Sequence, residues 1–561
     1  MSADLQTFAR TGGLRRVDVA LGDWIARAFP DSAPEVALAA ALAARAVSEG
    51  HSALQLGAAH AWLADLGEGG KAPELPDPAA WRELLYQSDG VESVAAHEAA
   101  ARAPLVLDPQ GRVYLRRYFE YEQRLAQNLI ARAQANRLSL ITGGPGTGKT
   151  HGVLRMLVAL AENAHAQSRS LRIALAAPTG KAATRLAQSV RAQLSLLDTT
   201  EAVATMIPRE AFTLHRLLGL SPSRAGARFH RDALLPFDVL VVDEVSMVDL
   251  PLMVKLVIAM HQDAMLILLG DPDQLSAVEA GDVLGALVEA AREPPISRCH
   301  THLTQSYRFG EDSRLRRLAD AIVKNDFDTA LATLQGGDEV RMTAADAQGM
   351  RVVERAIEMY RTILDASDPA HALQSANRFR VLTALRHGPC GNLALDRAIE
   401  QRLKRRVGVR ADAQWWRGRL LMITANRAEL NLFNGDVGVV WPDANGDPKI
   451  WFEGVEGAPR AISPASLPVH EGAFALTVHK AQGSEFDQVA LVLGADTRVL
   501  TRELLYTGVT RAREAIHIYG DGTLLRAGIA RGTQRWNGLT DRLREAAAAP
   551  SSIAESLPDT A

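Results

Sequence analysis

The sequence predicts an α/β protein with two parallel-sheet units, a small β-barrel insertion in the second and a helical domain ahead of the first. Three observations carry that expectation. Short apolar runs rich in leucine, valine and isoleucine (LSLITGG, RIALAAP, VLVVDEV, MLILLGD) each end in a turn and give way to an amphipathic helix. Such alternation reads as buried parallel strands packed between helices. A second series, FRVLTAL, AFALTV and DQVALVL, repeats the pattern around helices such as NLALDRAIEQRLKRRV. Between the two, LLMITANRAELNLFNGDVGVVW and KIWFEGV hold short β runs, an Asn434-Gly435 turn and no helix, which suits a barrel.

In chain order, residues 1–110 form the helical N-terminal docking domain. VALAAALAARAVSEG and DPAAWRELLYQS are helix-like there, PELPDP breaks them, and no catalytic pattern appears. The first α/β unit is expected over 111–300 and the second over 301–545, with the barrel at about 415–470. The alanine-rich end, 546–561, is expected to be a disordered tail.

A chain of 561 residues exceeds one compact core and suggests about three or four domains. Its 47% apolar and 23% charged content is that of a globular protein. No apolar run is long enough to span a membrane, and the N-terminus lacks a secretory layout. Cys299 and Cys390 are too few for a disulfide framework or a zinc site, and suit buried or half-buried thiols in a reducing cytosol. With a net charge of −3, contact with nucleic acid must come from a local groove rather than bulk attraction. Only eight lysines occur, and Lys149, Lys181 and Lys480 all fall in the motifs below.

GGPGTGKT fits the phosphate-loop pattern: Gly143, Gly144, Pro145, Gly146, Thr147, Gly148, Lys149 and Thr150, after an apolar run and before a helix. Backbone N–H groups and the helix N-terminus would cradle the phosphates of ATP. Lys149 would reach the β- and γ-phosphates, and the Thr150 hydroxyl would hold Mg²⁺. Asp243, ending the run VLVVDEV, is placed to bind the same Mg²⁺, and Glu244 to polarise the attacking water. Gln274, in GDPDQLSAVEAG, lies on a loop from which a neutral amide can report the γ-phosphate. Phosphoryl transfer also needs positive charge over that phosphate. Arg308 in LTQSYRFG and Arg511 in LLYTGVTRAREAI are the candidates.

The order GGPGTGKT, APTGKAATRL, FTLHRLLG, VVDEVSMVD, GDPDQLSAVEAG, QSYRF, LTVHKAQGSEFD, YTGVTRAR resembles the motif series of superfamily-one DNA helicases. More narrowly it resembles the RecD family, the alpha subunits of exodeoxyribonuclease V (the RecBCD complex). The motif-bearing resemblance runs from Tyr114 to Gly520, and TVHKAQGSEF with YTGVTRAR is its most specific part. It implies two RecA-like P-loop motor domains with ATP between them, single-stranded DNA across their top and movement from 5′ to 3′. Thr179, Gly180 and Lys181 open a helix suited to a DNA phosphate, and Thr213 with His215 would add a second contact. Thr477, His479 and Lys480 would grip DNA from the other motor. The barrel resembles the SH3-like insertion of RecD-type helicases and would close over the strand. Residues 219–236 suit a strand-separating pin and a plain surface loop equally.

The resemblance further implies RecB- and RecC-like partner subunits in a heterotrimer, acting on duplex DNA ends in double-strand break repair and recombination. Some features depart from the family. Ser276-Ala277 follows Gln274 where a small residue followed by serine is more usual. No adenine-reading glutamine precedes the phosphate loop; Tyr114, Arg117 and Tyr118 lie in that region without an assigned role. The N-terminus lacks a helix-hairpin-helix glycine pattern, which speaks against the stand-alone RecD-like helicases. A structural subunit with a vestigial ATPase is the other alternative, opposed by the full set of chemical groups. No acidic metal-binding cluster follows the motor, so nuclease activity would belong to a partner.

Overall fold

The computed structural model describes residue 9 and residues 13–66, 74–94, 103–221, 226–307, 310, 313–346, 349–454, 458–494 and 497–549. In the N-terminal region helix α1 (Arg16–Ala28) packs on α2 (Pro34–Ser48). The alanines of α2 are buried around most of its circumference, so this helix runs through the middle of its core. The region is not helical alone. β1 (Leu54–Gln55), β2 (Val91–Ser93), β3 (Leu105–Leu107) and β4 (Arg112–Leu115) form a sheet in the order β1-β4-β3-β2. Strands of two to four residues are too short to display a two-residue period. The last of them also carries this unit past the expected boundary at 110.

Helix α3 (Arg116–Gln134) leads into the first α/β unit. Its strands are β5 (Leu138–Gly143), β6 (Ile173–Ala177), β7 (Phe212–Thr213), β8 (Val239–Val242), β9 (Met265–Gly270) and β10 (His300–Leu303). They are all parallel, in the order β10-β5-β9-β8-β6-β7. Thr142 pairs with Gly270, and Val242 with Leu268, so β5, β8 and β9 end at nearly one level. The three loops that leave these carboxyl ends therefore crowd into one crevice, where open parallel sheets place ligands. Two of the strands are flanked by helices central to the site: α4 (Lys149–Ala166) after β5 and α5 (Gly180–Leu194) after β6. The short helix α6 (Leu214–Leu218) follows β7.

The second unit begins with helix α7 (Arg314–Val323) and holds β11 (Val340–Thr343) and β12 (Phe379–Thr383), then helix α8 (Asn392–Arg406). Its excursion is an antiparallel sheet of β13 (Leu420–Ile423), β14 (Val437–Pro442), β15 (Pro448–Phe452), β16 (Arg460–Ile462) and β17 (His470–Gly472). The chain then returns through β18 (Ala475–Thr477), β19 (Phe486–Val492), helix α9 (Arg502–Val509) and β20 (Ala512–Tyr519). The main sheet is again parallel, in the order β11-β20-β19-β12-β18.

The limits 301–545 for the second unit need correcting at both ends. β10 pairs with β5 and so completes the first sheet. The C-terminal helix α10 (Leu539–Ala548) returns to the first unit, where it packs on α3 and buries Leu539 and Leu543 in that core. HTHL has no apolar run, and an amphipathic stripe does not say which unit it will meet. Helix α10 also occupies the start of the expected tail, whose residues 550–561 lie outside the described ones. Of the 219–236 segment, residues 222–225 lie outside the described ones too. Beside them Arg228 and Phe229 donate their N–H groups to Leu218 at 2.9 and 3.1 Å, and Leu235 is buried in the first core. Among the described residues no helix is long and apolar enough to cross a membrane.

Candidate functional site

The loop between β5 and α4 turns through three glycines with positive φ: Gly143 (156°), Gly146 (76°) and Gly148 (80°). A Cβ on Gly143 would stand 2.6 Å from the Leu303 carbonyl of β10 and 2.9 Å from Thr147 Oγ1, so no side chain fits there. Thr147 Oγ1 donates to the Gly144 carbonyl at 2.9 Å and ties the loop to itself. The Lys149 ammonium folds back over the loop, donating to the carbonyls of Gly143 at 2.5 Å and Gly144 at 3.0 Å. Pro145 and Gly146 form the outer wall, where Tyr307 N donates to Gly146 O at 2.8 Å. Thr150 is the second residue of α4.

Asp243 and Glu244 follow β8. Asp243 Oδ1 accepts from Glu244 N at 2.8 Å, and Glu244 takes φ 54°, a left-handed conformation that strains a residue with a side chain. The Asp243 carboxyl is pushed up to about 6, by desolvation and then by the Glu244 charge, with Lys149 pulling the other way. Asp271, after β9, is 1% exposed and raised above the usual carboxylate range by burial; Lys149 opposes this too. Asp273 is pushed up to about 6 by burial and by Asp271. The Thr150 hydroxyl and the Asp243 carboxylate are hard-oxygen donors of the kind that would suit Mg²⁺.

The second unit closes on these loops through groups that sequence alone does not pair. Gln274 donates from Nε2 to Asp271 Oδ2 at 2.8 Å, and its Oε1 accepts from Arg511 Nη2 at 3.1 Å. Gln274 is 6% exposed and Arg511 only 2%. Leu275 N donates to Thr507 Oγ1 at 2.9 Å, Gln482 Nε2 to Leu275 O at 3.0 Å, and Tyr506 Oη to Asp271 Oδ2 at 3.1 Å. Tyr506, Thr507 and Gln482 lie inside YTGVTRAR and HKAQGSE, so their motif membership was the available signal; their chemistry was not. Arg308 lies outside the described residues. Its neighbour Tyr307 is 75% exposed, with its ring 3.6 Å from a Cβ placed on Gly148.

Thr179 caps α5, its Oγ1 accepting from Ala182 N at 3.2 Å, and Gly180 is buried beneath Phe433 of the β13–β14 loop. The Lys181 ammonium turns toward the second unit, 6.0 Å from the Phe486 ring centroid, and is pushed down to about 8 by burial, Arg380 and Arg185. Thr213 caps α6, and His215 is exposed beside it. Across the cleft, Thr477 Oγ1 accepts from Lys480 N at 3.4 Å. His479 lies below the usual histidine range, through burial and then Arg535. Lys480 is ion-paired with Glu471. Arg185 bridges the units, 2.9 Å from Gly483 O and 2.7 Å from Glu485. Tyr114 is buried in the N-terminal sheet beside Phe119, while Arg117 lies over the Tyr121 ring.

Residues 126–280 match the AAA domain family, 472–519 the UvrD-like helicase C-terminal domain, and 10–114 the N-terminal domain of RecBCD enzyme subunit RecD. With two parallel sheets and a phosphate loop between them, the chain is an ATP-dependent DNA helicase. It is 37% identical over 555 residues to RecBCD enzyme subunit RecD of Mycolicibacterium smegmatis, covering 92% of this chain and 95% of that one. The subunit of Haemophilus influenzae is 36% identical over 488 residues, covering 77% and 74%. The chain belongs to the RecD family. The ATP-dependent RecD2 DNA helicase of Deinococcus radiodurans is 32% identical over 423 residues, 74% of this chain and 52% of that one. A solved Bacteroides Pif1 helicase with ADP-AlF3 and single-stranded DNA aligns with TM-score 0.38 and 17% identity, covering 70% and 91%, too distant to bear on function.

Proposed function

We propose that the chain is the 5′–3′ motor subunit of a RecBCD-type complex, working with RecB- and RecC-like subunits on duplex DNA ends in the bacterial cytoplasm. Two RecA-like motors would close on ATP. The match of residues 10–114 to the RecD N-terminal domain, with 37% identity to a RecD subunit against 32% to the RecD2 helicase, favours the subunit over the stand-alone enzyme. The observation that carries the motor reading is the Gln274–Arg511 bond, which joins the nucleotide crevice of one unit to the other unit.

Lys149 leaves its two loop carbonyls for the β- and γ-phosphates, while Glu244 orients the attacking water. Mg²⁺, held by Thr150 and Asp243, would neutralise charge on the phosphate oxygens. Arg511 is held by the neutral Gln274 amide and by the carbonyls of Thr507 and Ser484, and a γ-phosphate would compete with Gln274 for its Nη2. Handing Arg511 over frees one end of the Gln274 amide, and Gln274 thereby reports the phosphate. Arg308 is assigned to the same phosphate, and the exposed Tyr307 ring to the base.

Thr179, Gly180, Lys181, Thr213 and His215 form the grip of the first motor, and Thr477, His479 and Lys480 that of the second. Closing the crevice shifts one grip against the other. The antiparallel sheet would serve as the SH3-like insertion, a reading supported by Phe433 of its β13–β14 loop packing on Gly180 of the first grip.

Lys149→Gln is expected to abolish DNA-stimulated ATP hydrolysis, measured as phosphate release by the full chain. The wild type is expected to unwind substrates with a 5′ overhang. Unchanged turnover in the variant defeats the motor assignment, and preference for a 3′ overhang defeats the polarity.

A further inference from the structure

The GDPDQL loop and the YTGVTR segment meet at three points, Gln274 on Arg511, Leu275 on Thr507 and Asp271 on Tyr506, and the motor reading uses the first. At the third, the Tyr506 hydroxyl donates to Asp271 Oδ2 at 3.1 Å, and that same oxygen accepts from Gln274 Nε2 at 2.8 Å. Tyr506 is 5% exposed, so the bond is shielded from water. The hydroxyl also faces the phosphate loop: a Cβ placed on Gly144 would stand 3.0 Å from Tyr506 Oη. Phenylalanine would fill the same space, so packing alone does not call for the oxygen.

Asp271 explains the need. Its buried carboxylate takes Asp273 N at 3.2 Å on Oδ1, and only side-chain donors on Oδ2. One of those donors comes from its own loop and the other from the second unit. Gln274 is in turn held at its far end by Arg511, five residues along from Tyr506 on the same segment. Opening the crevice removes both outside contacts together and leaves Asp271 and Gln274 held only by bonds within their own loop.

We propose that Tyr506 is a positioning residue for ATP hydrolysis: its hydroxyl fixes Asp271, and through Asp271 the Gln274 amide, only while the second unit is closed on the phosphate loop. This rests on the motor reading above. Tyr506 makes the geometry of Gln274 conditional on closure, so hydrolysis in a half-open crevice lacks its reporter.

Tyr506→Phe in the full chain is the direct test. DNA-stimulated kcat is expected to fall about tenfold, the scale of one lost hydrogen bond to a carboxylate. KM for ATP is expected to stay within about twofold, and the melting temperature to hold, because the ring keeps its packing. Asp271→Asn should lower kcat comparably, and the double variant should be no worse than the weaker single by more than about twofold. Wild-type turnover in Tyr506→Phe, additive losses in the double variant, or a fall in melting temperature with kcat intact each overturn the proposal. An inactive wild-type chain overturns the underlying motor reading as well, whereas an active wild type with an equally active Tyr506→Phe overturns this proposal alone.

Discussion

Lys480 and Glu471 form an ion pair in which both side chains are partly withdrawn from water, 28% and 18% exposed. A DNA phosphate that takes Lys480 must first displace that carboxylate. Glu471→Gln removes the competitor and is therefore expected to tighten single-stranded DNA binding roughly two- to fivefold at low salt. Lys480→Ala should weaken binding, and the pair of changes together should show no gain. Fluorescence anisotropy against salt reads all three; unchanged affinity in Glu471→Gln removes Lys480 from the track. The motif spacing picked out Lys480, but nothing in it named Glu471 as the partner. Gln274 and Arg511 are a sharper instance, since 237 residues separate two side chains that touch. Local chemistry was legible in the sequence. Pairing was not, because contacts across a cleft leave no periodicity.

Among the elements, Gly180 opens α5 where an alanine would ordinarily be an improvement of up to about 1 kcal/mol. Here a Cβ would stand 2.5 Å from Phe433 Cβ, so the position is set by the antiparallel sheet rather than by the helix. Gly180→Ala is expected to cost about 1–3 kcal/mol by overpacking, and much less in a Phe433→Gly background, where the clashing Cβ is gone. Denaturant unfolding measures both, and a stabilised Gly180→Ala would show that the sheet does not seat there. The strands that were readable in advance, such as Ile173–Ala177 and Val239–Val242, are those buried on both faces and written as unbroken apolar runs. Those missed have other patterns: HTHL at the sheet edge, and AREAIHIY, whose central strand carries exposed arginine and glutamate at one end. The four-stranded N-terminal sheet escaped for want of length.

At the scale of the whole molecule, the chain after β20 ties all three parts together. Trp536 stacks on His51 at 4.1 Å between ring centroids, Arg535 donates to Glu49 O at 2.8 Å and to Ala277 O at 3.0 Å, and α10 rejoins the first core. Glu122 of α3 is the centre of this junction. It accepts from Ser52 Oγ at 2.5 Å and from Gly538 N at 3.0 Å, so one carboxyl links the N-terminal region, the first unit and the returning strap. Burial pushes Glu122 up to about 7 from an ordinary 4.5, outweighing Ser52, the Gly538 N–H, Arg112 and Arg542, which all favour its charged form. The folded chain therefore holds this proton more tightly than the unfolded chain does. The stability that results is complete below the unfolded value and is lost as pH rises through the folded one. In Glu122→Gln the amide does not titrate, which makes that variant the proper reference. The wild-type melting temperature, taken relative to Glu122→Gln, is expected to fall as pH is raised from about 5 to about 7.5. A difference that stays flat across that window would mean that the surrounding donors keep Glu122 ionised throughout. The strap would then be held by a charged hub, with Arg112 and Arg542 as its essential partners.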